Sequence, residues 1–443
     1  MAVPETVGVR ARTFSRSGLS TGAAALALGI PFLFLHVKYQ PGVRVPLGST
    51  HLGLELSDLV VVVVAALALR DGLRTGFAAL RPAVPLWIAS AALLLWILVR
   101  SESLVHLVTA AKFAEYALLA VSAPLVFRRR SDWELVAAAI VAWSVAASCF
   151  GLLQFFGLDV ADAWAAGRRQ PSFLGHSDFA ALSAAALAVG LAAVLIAARR
   201  IGWVAVVSGA LGLVLSGATA GLIGIAAGTA AFLVAVARRR PLAVRDFALS
   251  GIVVAVVAAG VLVLRAGDFE NFLRFLHIKG TETQTVNIET YSHHTLLAYI
   301  GYRIWRDHPL VGAGWQASTD PDVVDPQLPA ARREFPDVAK LAFPTREHEW
   351  GVQNAYVQAA ADLGLVGLVL WLAPFALGLV IALRANAPPG AVAAFVTLAA
   401  MGIWAAQGLV AGIPLDALTW LGLGLAATAA AQRNQVAAQG KWE

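Results

Sequence analysis

Long apolar runs recur along this chain and leave few options for its fold. Its 443 residues are 59% hydrophobic and only 14% charged, whereas about 25% of the residues of a soluble domain are charged. A helix needs about 20 apolar residues to cross the hydrocarbon core of a bilayer. Because lipid offers the backbone no hydrogen-bond partner, apolar runs of this length form helices. The pattern predicts an all-α polytopic membrane protein.

Twelve apolar runs predict twelve transmembrane spans. They lie at roughly residues 19–36, 57–69, 83–99, 104–127, 133–157, 178–198, 201–217, 219–237, 247–266, 352–383, 389–410 and 415–432. The second is short for a span, and the tenth is long enough to begin above the bilayer. The first follows three arginines, as the apolar part of a signal peptide would, but eleven further runs make it the first span.

The arginines between the runs predict an orientation. Arginines are found at the N-terminus and in the loops at Arg70/Arg74/Arg81, Arg128–Arg130, Arg199/Arg200, Arg238–Arg240 with Arg245, and Arg384, and the C-terminus adds Arg433 and Lys441. With twelve spans all of them fall on one side, which the positive-inside rule makes the cytoplasm. Both termini are then cytoplasmic. Because most of the arginines fall in these loops and termini, the net charge of +6 reflects topology, and nucleic-acid binding is not predicted.

One hydrophilic segment, residues 267–351, interrupts the apolar runs and holds five of the nine histidines. The orientation places it outside, as one large outer (periplasmic) loop domain. The predicted organisation is therefore residues 1–266 with nine spans and short loops, the outer loop, and residues 352–443 with three spans and a cytoplasmic tail. A hydrophilic domain between membrane spans is a common place for chemistry at the membrane surface.

Residues 289–308 of the outer loop have a helical pattern. Leu297, Ile300 and Ile304 recur at helical spacing between polar residues, which predicts an amphipathic helix lying near the membrane interface. Pro309 then ends the helix.

Three arginines on the outer side are candidates for binding an anion. Arg303 lies on the amphipathic helix, and a guanidinium offers phosphate a planar fork of permanently charged donors; a surface arginine that snorkels to water is the alternative. Arg169, beside Arg168, departs from the positive-inside pattern, and an anion site and a chance outer arginine remain equal alternatives. Arg265 ends the ninth span, where snorkelling is the favoured interpretation.

The start of the tenth span carries candidate catalytic groups. His348 lies between two glutamates and can act as a base near neutral pH, although a solvated charged loop is the simpler interpretation. Gln353 and Asn354 follow it, and amides at the start of a helix can hydrogen-bond a sugar or a phosphate. One histidine with adjacent carboxylates lacks the spacing of metal ligands, so no metal site is predicted.

Few polar groups fall inside the predicted spans. The single cysteine, Cys149, excludes an internal disulfide framework and a cysteine-based metal cluster. Lys112 and Glu115 lie three residues apart on one face of the fourth span. Charges within a membrane span are candidate sites by default, but these two neutralise each other and are predicted to form a structural pair.

Two stretches resemble hallmark segments of the O-antigen ligase and O-antigen polymerase superfamily. One is RIWRDHPLVGAG, from Arg303 to Gly314, and the other begins at Asn354 and runs through Gly364 to Gly367. RQPSFLGHSDFA, from Arg169, is similar to a third, weaker segment. About twelve spans and a hydrophilic loop before the second stretch also match this superfamily.

The resemblance implies a glycosyltransferase in the bacterial cytoplasmic (inner) membrane, with its active face periplasmic or extracellular. Its donor would be a glycan on undecaprenyl diphosphate. Its acceptor would be a hydroxyl of a glycolipid such as lipid A–core, of another lipid-linked glycan, or of a protein. No cofactor, nucleotide sugar or metal is implied. Pathways of this kind build lipopolysaccharide and other envelope polysaccharides.

In an enzyme of this kind the candidate residues are expected to have two roles. Diphosphate binding would rest on arginines, namely Arg303, Arg169 and Arg265. The catalytic groups would be His348, Gln353 and Asn354.

The chain departs from the superfamily at two points. Ligases carry a histidine where this chain has Gln353, and glutamine cannot serve as a base. Many members carry Ser-Arg where it has Ala218 and Thr219. Replacement by His348 and by Arg169 or Arg265 is the corresponding hypothesis. Ligase and polymerase stay open, as do a transporter of an anion or a lipid-linked glycan, which broken helices would favour, and an inactive assembly partner.

Overall fold

The fold is described by a computed structural model. It covers residues 19–276 except 48–49, 198 and 239, residue 278, residues 291–385 except 337, 347 and 349, and residues 417–438. The predicted eleventh span, the N-terminal arginines and the two glutamates beside His348 lie outside these residues.

Within the described ranges the chain is almost wholly helical. The long helices are α1 (Thr21–Phe34), α2 (Leu56–Thr75), α3 (Val84–Val99), α4 (Leu104–Val126), α5 (Arg130–Phe155), α6 (His176–Leu195), α7 (Gly202–Ser216), α8 (Thr219–Ala237), α9 (Val244–Leu264), α14 (Ala355–Arg384) and α15 (Ala417–Ala438). Four further helices belong to the hydrophilic segment: α10 (Ala266–Phe275), α11 (Tyr291–Asp307), α12 (Pro321–Val324) and α13 (Leu328–Glu334).

The helices confirm an integral membrane protein. Among the described residues, six helices are long and apolar enough to cross a membrane, and four further apolar helices are shorter. Each predicted span except the eleventh coincides with one of the eleven long helices. The short second run belongs to α2, which extends to Thr75 and carries charged residues at both ends. The total of twelve crossings, and the division at residues 266 and 351, stay predictions.

The segment 37–56, between α1 and α2, contains a β-hairpin that the sequence analysis did not predict, within an otherwise helical fold. Strand β1 (Gly42–Leu47) pairs antiparallel with β2 (Thr50–Glu55). Val43 and Val45 pair with Leu54 and Leu52, so one face of the ribbon is apolar. The hairpin escapes the sequence analysis because the strands are short and Pro46, which lacks an N–H donor, lies within one of them.

Helix α6 occupies the centre of the bundle. It is buried over 83% of its apolar window, against 22–33% for the other five helices that can cross a membrane. Its alanine-rich sequence explains this position, because small side chains allow neighbouring helices to approach closely. The N-terminus of α6, at His176, therefore lies where several elements meet at one end of the bundle.

The hydrophilic segment has a small core of its own. The predicted amphipathic helix is confirmed as α11, and Leu297, Ile300 and Ile304 are buried. Their partners in this core include Leu328 and Phe343. The apolar face of α11 is thus covered by protein, so it does not face the membrane interface as predicted.

Helix α14 is interrupted at Gly364, where φ is 69° and ψ is −172°. The loop after α11 fills the interruption. Its N–H groups at Ala313 and Gly314 donate to helix carbonyls at 2.8 and 2.9 Å, while the helix N–H groups at Leu365 and Val366 donate to loop carbonyls at 2.9 and 3.2 Å. We call residues 309–314 and 361–366 the helix clamp. It satisfies backbone groups that a break within a membrane helix would otherwise leave unpaired.

Two glycines make the helix clamp possible. Gly364 and Gly312 both have positive φ, a conformation that side chains disfavour. A Cβ at Gly364 would also collide with the Leu310 carbonyl, and one at Gly312 with the backbone of Asp362. The clamp therefore joins the two stretches whose glycine patterns stand out in the sequence.

We predict that Gly364→Ala destabilises the protein by about 1–3 kcal/mol or more, since strain at positive φ alone costs that much. Thermal denaturation of purified protein in detergent measures the change. The matched control is Gly251→Ala in α9, where a Cβ meets nothing within 4 Å. It should leave stability unchanged or raise it, because alanine favours helix. Equal stability of the two variants would contradict the clamp.

Candidate functional site

Arg265 is buried at the junction of α9 and α10. Its Nε donates a hydrogen bond to Asp268 Oδ2 at 2.8 Å. Its Nη1 donates to Thr219 Oγ1 at 3.2 Å and to the Gly217 carbonyl at 3.4 Å. Only 7% of the residue is exposed. The favoured sequence interpretation, an arginine snorkelling to water, is therefore wrong. Arg265 instead contacts the turn between α7 and α8.

Arg169 reaches the same turn from the loop before α6. Its guanidinium lies over the Trp164 ring at 4.1 Å, a cation–π contact. Its aliphatic part packs against Gly217, where an added Cβ would approach Arg169 Cβ to 2.8 Å. The next residue, Gln170, donates its N–H to the Leu215 carbonyl at 2.7 Å. These contacts fix the loop of Arg169 on the turn.

His176 is the first residue of α6 and the third group at the turn. Its Nδ1 lies 3.1 Å from the Ser216 carbonyl oxygen, and its ring meets Trp164 edge-to-face at 4.8 Å. A carbonyl only accepts, so Nδ1 carries the proton, and in the neutral imidazole the lone pair is then on Nε2. Arg169 and Arg265 both act electrostatically on this imidazole. We call Arg169, His176, Arg265 and Trp164 the turn cluster.

Two helix N-termini add positive potential at the turn cluster. Helices α6 and α8 both begin here, and neither N-cap residue, Gly175 or Ala218, provides a side-chain cap. A helix N-terminus carries a partial positive charge and free N–H donors that favour anions. Together with two guanidiniums, offset in part by the carboxylates of Asp268 and of Asp178 in the first turn of α6, the arrangement is suited to binding a phosphate-containing anion.

Arg303 belongs to a different network. It is half-buried on α11, and its Nε donates to Gln327 Oε1 at 3.1 Å. Gln327 Nε2 in turn donates to Asp307 Oδ2 at 2.7 Å. The structure therefore brings Arg169 and Arg265 together and anchors Arg303 within the hydrophilic segment.

His348 lies exposed on the loop before α14. Its backbone N–H donates to Thr345 Oγ1 at 3.1 Å, and its ring stacks on Trp350 at 6.1 Å. Trp350 meets the buried ring of His293 edge-to-face at 5.3 Å. His293 Nε2 lies 2.9 Å from the Ala342 carbonyl. Trp350 thus orients the imidazole of His348. The His348 side chain remains exposed to solvent.

Asn354 has a definite structural task at the start of α14. It is the N-cap residue, and its side-chain oxygen accepts the N–H groups of Tyr356 and Val357 at 3.1 and 3.0 Å. Gln353 is half-buried, and its side chain hydrogen-bonds no residue in the described ranges. Of the two amides, Gln353 is the one whose oxygen is available to a ligand.

Two charged residues that sequence reasoning missed hold the helix clamp. Asp362 is fully buried in α14 and accepts from Ser318 N at 2.9 Å and Gln358 Nε2 at 3.2 Å. Arg100 donates to the Gly312 carbonyl at 3.1 Å. The available signal was the position of Asp362, a lone carboxylate inside an apolar span.

Among the described residues, no group of three or more His, Cys, Asp or Glu side chains is placed to hold a metal ion.

Residues 203–372 match the family model described as O-antigen ligase. The matched range runs from α7 into α14, so it includes the turn, Arg265, Arg303, Gln353 and Asn354, while Arg169 and His176 precede it. No curated protein matches the chain.

We predict that Asn354→Ala lowers the free energy of unfolding by about 1 kcal/mol, because an N-cap that accepts from the first helical turn is worth about that much. Asn354→Asp keeps an equally good capping oxygen and should keep stability. Thermal denaturation of both variants provides the comparison. A loss of equal size in both variants would show that the side-chain oxygen is not what stabilises this helix end.

Proposed function

The chain belongs to the O-antigen ligase and O-antigen polymerase superfamily, and from this we propose that it transfers a glycan from undecaprenyl diphosphate to an acceptor hydroxyl. Membership supports a glycosyltransferase of the ligase or polymerase kind in general. The carrier, the acceptor and the outer face of the cytoplasmic membrane are part of our proposal. The acceptor is the hydroxyl of a glycolipid or of another glycan.

One observation carries the proposal. Arg169 and Arg265, from separate segments, meet at the turn between α7 and α8, where two uncapped helix N-termini also lie. When the glycosidic bond breaks, negative charge grows on the departing diphosphate. Donors that are already in position stabilise this charge without reorganising. The turn cluster supplies such donors.

The position of Arg265 also suggests which residue replaces the arginine of the missing Ser-Arg pair. Where many members carry that arginine, this chain has Ala218 and Thr219. The guanidinium of Arg265 donates to Thr219 Oγ1 at 3.2 Å. We propose that Arg265 supplies from α9 the charge that the turn itself lacks.

The reaction needs a group that takes the acceptor proton. The acceptor oxygen bonds to the anomeric carbon, the bond from that carbon to the diphosphate oxygen breaks, and the hydroxyl proton passes to a base. Gln353 cannot be that base, so we assign the role to His348, whose imidazole is solvent-accessible and oriented by Trp350. Gln353 and Asn354 then line the acceptor side, and Arg303 is a further phosphate contact from α11.

Transport is a second candidate, favoured by the interruption of α14 at Gly364. Broken helices in transporters expose backbone carbonyls to an ion or a substrate. Here the carbonyls of Ala361 and Asp362 instead accept N–H groups of the loop. The break is occupied by the chain itself, so the transferase ranks first.

We predict that Arg169→Ala and Arg265→Ala each lower transfer about 100-fold or more, the effect of removing one preplaced donor. Transfer is measured as acceptor-dependent release of undecaprenyl diphosphate from purified protein, followed by mass spectrometry. Arg168→Ala is the matched control, because Arg168 is the exposed neighbour of Arg169 in the same loop, and it should remain active. Equal activity of the Arg168 and Arg169 variants would contradict the proposed site.

A second pair of variants tests whether Arg303 of α11 belongs to the active site. Arg303→Ala should abolish transfer with normal expression, whereas Arg306→Ala, an exposed arginine on the same helix, should not. Full activity of Arg303→Ala would remove Arg303 from the site. Movement of substrate across liposomes by folded protein that releases no undecaprenyl diphosphate would favour the transporter.

A further inference from the structure

A groove of about 910 Å³ opens between α5, α6, α7 and α15. Its walls are almost wholly apolar and include Ile140 of α5, Val189 of α6, Val204 of α7 and Leu421 of α15. The groove lies at the C-terminal end of α6, near Ala193, whereas the turn cluster lies at His176. Seventeen residues of helix separate these positions by about 26 Å. The groove is therefore distinct from the proposed active site.

The mouth of the groove carries a net positive charge. Arg130 Nε and Arg199 Nη2 both donate hydrogen bonds to Glu134 Oε1, at 3.0 and 2.8 Å. Two guanidiniums thus share one carboxylate. Their side chains are 66% and 46% exposed, and each guanidinium has five N–H donors. Donors and charge therefore remain for a second anion.

Trp133 contributes a donor at the same level. It lines the groove on the first turn of α5, and its ring stacks on Phe127 at 4.6 Å. Its indole N–H is buried and has no acceptor among the described residues. A buried donor without a partner costs about 1–3 kcal/mol. An acceptor atom supplied by a bound molecule would remove this cost.

Along α5, the groove wall changes from charged to apolar residues, as a membrane lipid changes from its headgroup to its acyl chains. Arg130 comes first, Trp133 and Glu134 follow, and only apolar residues line the groove from Val136 to Val145. Those nine steps of helix span about 14 Å, close to half of the roughly 30 Å hydrocarbon core. One acyl chain of one leaflet therefore fits this length.

We propose that the groove binds an anionic glycerophospholipid from the arginine-rich side of the membrane. Its phosphate lies between Arg130 and Arg199, an ester carbonyl accepts the Trp133 N–H, and an acyl chain fills the apolar walls. The charge at the mouth selects an anionic headgroup over a zwitterionic one.

Native mass spectrometry of the full-length protein in detergent tests the proposal. The probes are dioleoylphosphatidylglycerol and dioleoylphosphatidylcholine, which share acyl chains and differ in charge. We expect tighter binding of phosphatidylglycerol, weakened about tenfold by Arg199→Ala, since a charge-assisted hydrogen bond contributes about 1.5 kcal/mol. Arg200→Ala, the exposed neighbour outside the groove, should bind as the parent does. Trp133→Phe keeps an aromatic ring but removes the indole N–H donor, so it should also weaken binding.

A variant that fills the groove tests the acyl chain. Ala193→Phe should lower retention of both lipids while the protein stays monodisperse. Equal binding of the two lipids by the parent protein, or equal effects of the Arg199 and Arg200 substitutions, would overturn the proposal. Preferential retention of undecaprenyl phosphate over phosphatidylglycerol would also overturn it, because the occupant would then be a different lipid.

Discussion

The backbone pairing of the helix clamp holds the hydrophilic segment against the membrane bundle. A helix interrupted within a bilayer must find partners for its freed N–H and C=O groups, and Pro309–Gly314 supplies them by lying along α14 at Gly364. This docking fixes the end of α11 and hence Arg303. It also sets the position of the N-terminal part of α14, where Asn354 caps the helix. The candidate groups of both elements depend on it.

The turn between α7 and α8 concentrates positive charge without a local basic motif. Arg169 arrives from the loop before α6, Arg265 from the end of α9, and the imidazole of His176 from the first turn of α6. Stacking on Trp164 and pairing with Asp268 limit the freedom of the two guanidiniums. Preorganisation of this kind lowers the cost of stabilising charge that develops during a reaction.

Local patterns predicted local structure well, because an apolar run in lipid can form little other than a helix and the spacing of Leu297, Ile300 and Ile304 defines one face of α11. Contacts between distant segments were not predictable. Lys112 does lie 3.9 Å from Glu115, as their spacing suggested, but its nearer partner is Asp58 of α2. The meeting of arginines at the turn is likewise set by helix packing, which no spacing in the sequence encodes.

The proposed function depends on binding of the donor diphosphate at the turn cluster. The most direct measurement is an experimentally determined structure of the protein with undecaprenyl diphosphate bound. We expect phosphate oxygens within hydrogen-bonding distance of Arg169 and Arg265, at the N-termini of α6 and α8. Diphosphate bound elsewhere, with no phosphate oxygen near either guanidinium, would contradict this site.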